Sequence, residues 1–261
     1  MTRDLRPTIR DPIVAIIQAR MSSTRLPQKV MKEICNKPIL WHVVHRLKPS
    51  KYIQGIVVAT TTEKEDDIIA ERCKEWGVHL YRGSLDDVLN RYYQAAKIFN
   101  AKTIVRITAD CPLIDPEVVD LIIKKYLEEG YDHVGIEQSY PDGLDVEAFS
   151  FDALERAWKE AKLASEREHV TPYIWKNKDV FKMGVVKYKE DLSYMRWTVD
   201  DEKDFRFVKT VYEAFNCTER VFLMNEILDL LKKKPEIMEI NSGTIRNEGY
   251  LKSLREDKAV R

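Results

Sequence analysis

The sequence predicts an α/β fold, a doubly wound and mostly parallel sheet carrying an inserted α+β lobe. Three observations lead there. Continuous apolar, β-branched runs recur, as strands buried on both faces require. Amphipathic helical stretches alternate with these runs four times, the signature of repeated strand–helix units. Beyond about residue 136 the alternation breaks and shorter, more polar segments follow.

The first strand is the run Ile13 to Ile17, and a helix follows over Pro38 to Leu47 with Ile39, Val43 and Leu47 on one face. A second strand, Gly55 to Thr60, leads to a helix over Glu65 to Trp76 that turns Ile68, Ile69, Cys73 and Trp76 inward. Val78 to Tyr81 and Thr103 to Thr108 are the next strands, with helices over Leu85 to Phe99 and Pro116 to Glu128. Pro116 suits a first helical turn, and Asp115 before it suits an N-cap. Tyr92, Tyr93 and Phe99 are expected in the core. Past the break, Ser139 to Gly143 is turn-like and Leu144 to Phe149 alternates as an exposed or edge strand would. Helices are expected over Phe151 to Lys162 and Glu166 to Lys176, and strands over Val180 to Tyr188 and Arg196 to Val199. Two amphipathic helices, Lys203 to Phe215 and Glu219 to Lys234, precede a polar tail, Thr244 to Arg261. With no linker, repeat or low-complexity tract, residues 1–261 form a single domain, the inserted lobe spanning about 138–195.

Composition narrows the function classes. The 261 residues carry 43 basic and 43 acidic side chains, a formal net charge of zero. A polyanion-binding protein carries a basic excess, so bulk nucleic-acid binding is disfavoured, while a small anion held by a few local cations is not. No apolar run approaches the roughly 20 residues that span a bilayer. Met1 to Pro12 is charged and lacks a signal-peptide core, so a cytoplasmic location is expected. The four cysteines show no CxxC spacing and are too sparse for a disulfide scaffold, so reduced thiols are expected. The Lys/Glu-rich chain, with only five Gln, is compatible with a thermophilic source.

Ligands of open α/β sheets bind beyond the carboxyl ends of the strands, and two loops there carry unusual chemistry. After the first strand comes Ala19-Arg20-Met21-Ser22-Ser23-Thr24-Arg25-Leu26-Pro27-Gln28-Lys29, with three cations, three hydroxyls and no acid. Guanidinium forks and a lysine point charge are what a triphosphate needs. Neither GxxxxGK[ST] nor GxGxxG occurs, and with nine glycines in the chain side chains must do the gripping. The second loop, Thr108 to Pro116, places Asp110 one step past a strand end, with Pro112 fixing the turn. A third acidic patch, Asp200 to Asp204, follows another short strand; Asp201 suits a helix cap and Asp200 a ligand. Asp110 and Asp200, with phosphate oxygens and water, would satisfy Mg²⁺, which rarely takes an all-protein cage. Cys111 has no His nearby and is expected to be a packed thiol, and His42 and His45 lack a third ligand and are expected in the core or an interface. A metal-dependent glycosyltransferase of similar topology would carry Asp-x-Asp, which is absent here.

The run Ala19-Arg20-x-x-Ser23-x-Arg25-Leu26-Pro27-x-Lys29, the loop Asp110-x-Pro112-Leu113-Ile114 and the segment Val199-Asp200-x-x-x-Asp204-Phe205 resemble the cytidylyltransferases that activate sugar acids, the CMP-sialate and CMP-Kdo synthetases. The likeness is stronger to their bacterial spore-coat-polysaccharide branch. There Arg82-Gly83-Ser84-x-Asp86-Asp87-Val88-Leu89-x-Arg91-Tyr92, Tyr140-Pro141-Asp142-Gly143-Leu144-Asp145-Val146-Glu147 and Arg167-Glu168-His169-Val170-Thr171-Pro172-Tyr173 also match, so that the resemblance spans about residues 13 to 215. It implies a nucleotide-diphospho-sugar transferase-like fold and Mg²⁺-dependent transfer of a cytidylyl group from CTP to a hydroxyl, releasing pyrophosphate. Arg20, Ser23, Arg25 and Lys29 would hold the triphosphate, the three cations acting catalytically, and Asp110 and Asp200 the metal. Thr60, Arg82, Gly83, Ser84, Asp86 and Thr108 would line the base and ribose. Asp142, Asp145, Glu147, Arg167 and His169 would form the acceptor pocket, for a sugar acid or related molecule. The resemblance also implies a homodimer. The chain departs from the family at Gln28, commonly Gly, and at Thr108, commonly Gln in the Kdo and sialate enzymes. The alternatives are a nucleotidylyltransferase using another nucleotide or a phosphorylated acceptor, and a metal-dependent glycosyltransferase of similar fold. Replacing Arg25 or Lys29 by Ala is expected to abolish activity with little loss of stability.

Overall fold

The computed structural model describes residues 11–243, 246 and 248–260; Met1 to Arg10, and the tail residues Thr244 and Arg261, lie outside the described residues. In chain order the elements are β1 (Ile13–Gln18), β2 (Glu33–Ile34), β3 (Lys37–Pro38), α1 (Ile39–Leu47), β4 (Gly55–Thr61), α2 (Asp67–Trp76), β5 (His79–Gly83), α3 (Val88–Ile98) and β6 (Thr103–Thr108). They continue with α4 (Pro116–Glu129), β7 (His133–Ile136), β8 (Glu147–Ser150), α5 (Phe151–Glu160), α6 (Ala164–His169), α7 (Pro172–Lys176) and β9 (Met183–Val186). Helices α8 (Glu202–Ala214), α9 (Met224–Lys233) and α10 (Glu248–Arg255) close the chain.

Seven strands form one sheet in the order β5-β4-β1-β6-β8-β7-β9, and β2 and β3 form a small hairpin. Pairing is parallel except around β8, which runs antiparallel to both β6 and β7. The continuous apolar strands are buried as their composition requires: Ile13, Ala15, Ile16 and Ile17 are inaccessible to solvent. Each such isoleucine contributes about 1.5–3 kcal/mol on burial. Helices α1, α2, α4, α8 and α9 cover one face, while α3, α5 and α7 cover the other. Chain order runs outward from β1 through β4 to β5, then returns to β6 on the far side of β1. The crevice between the β1 and β6 ends is therefore the topological switch point, and both chemistry-bearing loops emerge there.

Several local expectations change. Leu144 to Phe149, expected at an edge, yields β8 in the sheet interior, because the charge of Glu147 is satisfied by protein groups rather than by water. The helix expected over Glu166 to Lys176 is two helices, broken at Val170, whose φ is 73°, a conformation a β-branched residue adopts rarely. Arg196 to Val199 makes a single parallel bridge, Asp142 to Arg196, rather than a strand. Part of the polar tail folds as α10. The segment 138–195 supplies β8, β9 and α5–α7, and so is woven into the sheet and its helical cover.

The expectation of four free thiols is corrected at one pair. Cys35, in the tight turn between β2 and β3, is disulfide-bonded to Cys217 just past α8, while Cys73 and Cys111 are free and buried. No spacing rule reveals a bridge between residues 182 apart in sequence. Closing so long a loop restricts the unfolded chain, an effect of about 2–4 kcal/mol. A Cys35→Ser, Cys217→Ser variant should melt roughly 5–15 °C lower than the oxidised protein. Reductant should bring the wild type to the same value; identical melting in all three states would remove the bridge from the stability account.

Candidate active site

The cation loop is fixed at its entry by Asp66, a buried carboxylate before α2. It accepts the Met21 N–H at 2.7 Å, and its other oxygen accepts the N–H and hydroxyl of Thr61. The loop closes on itself where the Gln28 N–H donates to the Met21 carbonyl at 3.1 Å, and Gln28 has φ 58°. That left-handed conformation is the one glycine adopts without steric cost, which accounts for glycine being usual at this position.

The loop delivers Lys29 to the centre of the crevice. Its ammonium donates to Asp110 at 2.7 Å, to Asp200 at 2.8 Å and to the Val199 carbonyl at 3.1 Å. Burial works against this charge, but the two carboxylates raise its pKa above the usual lysine value. Burial likewise opposes ionisation of Asp110, yet the Lys29 charge and hydrogen bonds from Lys29 and Thr108 bring it down to about 2. Arg25 sits at 2.9 Å from Asp200 and 2.6 Å from Glu248. Arg20 is exposed and makes no hydrogen bond or ion pair with the described residues. The Ser23 hydroxyl accepts the Leu26 N–H at 3.4 Å. Asp115 and Asp201 cap α4 and α8, leaving Asp110 and Asp200 for the crevice.

Nucleotide-side residues divide into two groups. Thr60 is buried with its hydroxyl unpartnered, and so are Gln18 Oε1, Ser22 Oγ and Arg91 Nε. Buried polar atoms are normally hydrogen-bonded, and these four are unsatisfied near the carboxyl ends of β1 and β4 and in the elements beside them. Gln18, Ser22 and Arg91 are additions to the expected set, and Arg91 already stood in the quoted motif. A Cβ at Gly83 would come within 2.9 Å of Arg91 Cγ, which gives that glycine its purpose. Arg82 instead donates to the Thr61 and Glu63 carbonyls and to Asp67, fastening the rim between β4 and β5. Ser84 accepts the Asp87 N–H, and Asp86 is exposed and unbonded among the described residues. Thr108 faces Cys111, whose thiol burial pushes well above its usual value, so that Cys111 is a packed thiol.

On the acceptor side, Arg196 organises what the sequence left scattered. Its buried guanidinium reaches Asp142 at 2.5 Å, Asp200 at 2.6 Å and Asp204 at 3.1 Å. Burial disfavours its charge, but these three carboxylates raise its pKa. Burial and the neighbouring Asp145 carboxylate push Asp142 up to about 7, against the pull of Arg196 and Arg246. Gly143 has φ 106°, and a Cβ there would collide with the backbone of Trp197 and Thr198; the loop carrying Asp142 and Asp145 therefore lies directly on the Arg196 segment. Asp145 accepts from Arg246 at 2.8 Å.

The other three expected acceptor residues are placed differently. Glu147 is held by Arg106, His133 and Thr171, and although burial opposes its charge these partners bring it down to about 2. Arg167 is buried against Asp87 at 2.5 and 3.0 Å and the Trp158 carbonyl, clamping α6 to α3. Both are internal ties rather than open ligand groups. His169 faces the C-terminal segment through Ser253 and Tyr250. His42 Nε2 donates to the Ile34 carbonyl at 2.8 Å and burial lowers its pKa to about 4, while His45 stacks on Trp41.

Asp110 and Asp200 converge on a single ammonium, so the pair already surrounds a cation position. Among the described residues no group of three His, Cys, Asp or Glu side chains forms a metal cage. A divalent ion would therefore draw its remaining ligands from phosphate and water, the habit of Mg²⁺.

Comparison with known proteins agrees with this geometry. A family model described as Cytidylyltransferase matches residues 14–242. An uncharacterized protein of Methanocaldococcus jannaschii is 41% identical over 240 residues, covering 91% of this chain and 97% of its own. The spore coat polysaccharide biosynthesis protein SpsF of Bacillus subtilis is 30% identical over 231 residues, covering 86% and 95%. The solved structure of a cytidylyltransferase from Leptospira borgpetersenii superposes with a TM-score of 0.84 at 34% identity, covering 90% of this chain and all of that one.

Removing Arg196 would leave the fully buried Asp204 without its cation and take one cation from Asp142, which keeps Arg246, and one from Asp200, which keeps Lys29 and Arg25. Breaking a buried ion pair from one side costs about 3–5 kcal/mol. Arg196→Met should accordingly lower unfolding stability by about that amount in urea titration; a loss below about 1 kcal/mol would show that the cluster does not organise the crevice.

Proposed function

Because the chain belongs to the cytidylyltransferase family, we propose that it transfers the cytidylyl group of CTP to a hydroxyl of a sugar acid or related acceptor, releasing pyrophosphate, in the synthesis of a surface polysaccharide. The observation that carries this reading is Lys29, poised between Asp110 and Asp200 at the switch point with Arg20 and Arg25 on the same loop. Similarity to a spore coat polysaccharide biosynthesis protein supports the polysaccharide setting.

In this reaction the acceptor hydroxyl gives up its proton, ultimately to water, its oxygen bonds to the α-phosphorus as the α–β bridging bond breaks, and pyrophosphate departs with the electron pair. The barrier lies in charge: anionic oxygens shield the phosphorus and the leaving group gathers more. Arg20, Arg25 and Lys29 would neutralise that charge from a loop already fixed by Asp66, preorganised as electrostatic catalysis requires. The unpartnered Gln18, Ser22, Thr60 and Arg91 atoms would receive base and ribose, and Asp142 and Asp145 would accept acceptor hydroxyls. Asp110 and Asp200 would hold Mg²⁺, which when bound supplies further charge neutralisation at the phosphates.

A cytoplasmic setting suits substrates of this kind, and no helix among the described residues is long and apolar enough to cross a membrane. Exposed Val180, Val185 and Tyr194 on the segment 138–195 support a homodimer formed there. Sedimentation should give twice the chain mass, and a monomer at micromolar concentration would refute this.

The deciding experiment is a screen of nucleotides against candidate acceptors for pyrophosphate release, with product masses recorded. CTP with a sugar acid should respond and other nucleotides should not; release from another nucleotide alone would overturn the assignment. Arg25→Ala and Lys29→Ala should each cut turnover by ~10²–10³, and Asp110→Asn should abolish its dependence on Mg²⁺. Arg25→Ala should leave melting nearly unchanged. Lys29→Ala should not, contrary to the expectation from sequence, because it strands the largely buried Asp110 carboxylate and takes one of three cations from Asp200. Wild-type turnover in either variant would remove that residue from the site.

A further inference from the structure

The family model ends at residue 242, but described residues beyond it, Arg246 and those from 248 to 260, make contact with the crevice and its surroundings. Arg246 donates to the Tyr140 carbonyl at 2.9 Å, the Gln138 carbonyl at 3.3 Å and Asp145 at 2.8 Å. Two residues on, Glu248 opens α10 and meets Arg25 at 2.6 Å. Helix α10 has no buried residue. Its seat is polar and aromatic: Ser253 lies between His169 and Glu168, and Tyr250 stands edge-on to the rings of His169 and Trp175. Beyond α10 the chain is tied down by backbone bonds, from Ala164 N–H to the Lys258 carbonyl and from Val260 N–H to the Lys162 carbonyl, with Asp257 accepting from Ser165. The result is a strap fixed at Arg246 and at residues 257–260, lightly seated between.

Glu248 thus places a carboxylate on the very arginine that phosphate would need. We infer that Glu248 is an internal competitor for the triphosphate at Arg25, and that the strap gives up this contact when the nucleotide binds. The inference rests on the proposed reading of the cation loop as the phosphate site. Both side chains are substantially exposed, 40% for Arg25 and 58% for Glu248. The pair is therefore a weak one that incoming phosphate displaces readily. Arg25 keeps its second partner, Asp200, at 2.9 Å, so losing Glu248 leaves the arginine positioned over the crevice.

Calorimetric titration at fixed ionic strength tests this on the full chain, with CTP plus Mg²⁺ and, separately, inorganic tripolyphosphate. Glu248→Gln should bind both ligands about twofold to fivefold more tightly, the range of an exposed ion pair. In an Arg25→Ala background the same change should have no effect. Unchanged affinity in Glu248→Gln, or equal tightening in the Arg25→Ala background, would overturn the inference. Wild-type protein that binds tripolyphosphate but not CTP would sink the nucleotide assignment while the tripolyphosphate series still judges Glu248; if neither binds, both ideas fall.

Discussion

An ammonium cannot be taken out of water without compensation, and the crevice is organised around one that is. Desolvating such an ion costs several kcal/mol unless partners replace the lost hydration. Lys29 finds them in two carboxylates from loops 81 and 171 residues away in sequence. Their meeting requires β1 and β6 to be neighbours, so that the two loops leave the sheet side by side. It also requires α8 to start where it does, because Asp201 caps that helix and leaves Asp200 free at the crevice. Arg196 carries the network onward, joining Asp200 to Asp142 and so the Lys29 crevice to the loop that holds Gly143 and Asp145.

Zero net charge is the bulk expression of this local arrangement. Positive groups on the loop after β1 face negative groups on two other loops, and neither wall dominates the protein's long-range field. A field of this kind does not draw in an extended polyanion from a distance.

The parallel half of the sheet was legible because strands buried on both faces are apolar throughout, and β1, β4 and β6 fall where their runs predict. The loops carrying Lys29, Asp110 and Asp200 were legible for a related reason: each directly follows a strand-like segment, and such positions are where ligands meet α/β sheets. Interior charges defeated the same logic. Glu147 makes β8 look solvent-facing, although Arg106 and His133 hold its carboxylate inside the protein. Arg167 resembles a ligand group until its partner Asp87, 80 residues earlier, is known. Arg196 gave no warning, since an arginine becomes an organiser only through what surrounds it, and the Cys35–Cys217 pairing depends on tertiary proximity alone.

That disulfide also bears on how the crevice can work. Cys35 follows the turn that carries Lys29, and Cys217 follows the helix that begins just after Asp200. The same two segments are therefore joined twice, covalently through the disulfide and ionically through Lys29 and Asp200. The covalent tie bounds how far the loop and the helix can separate whenever the ionic one is broken.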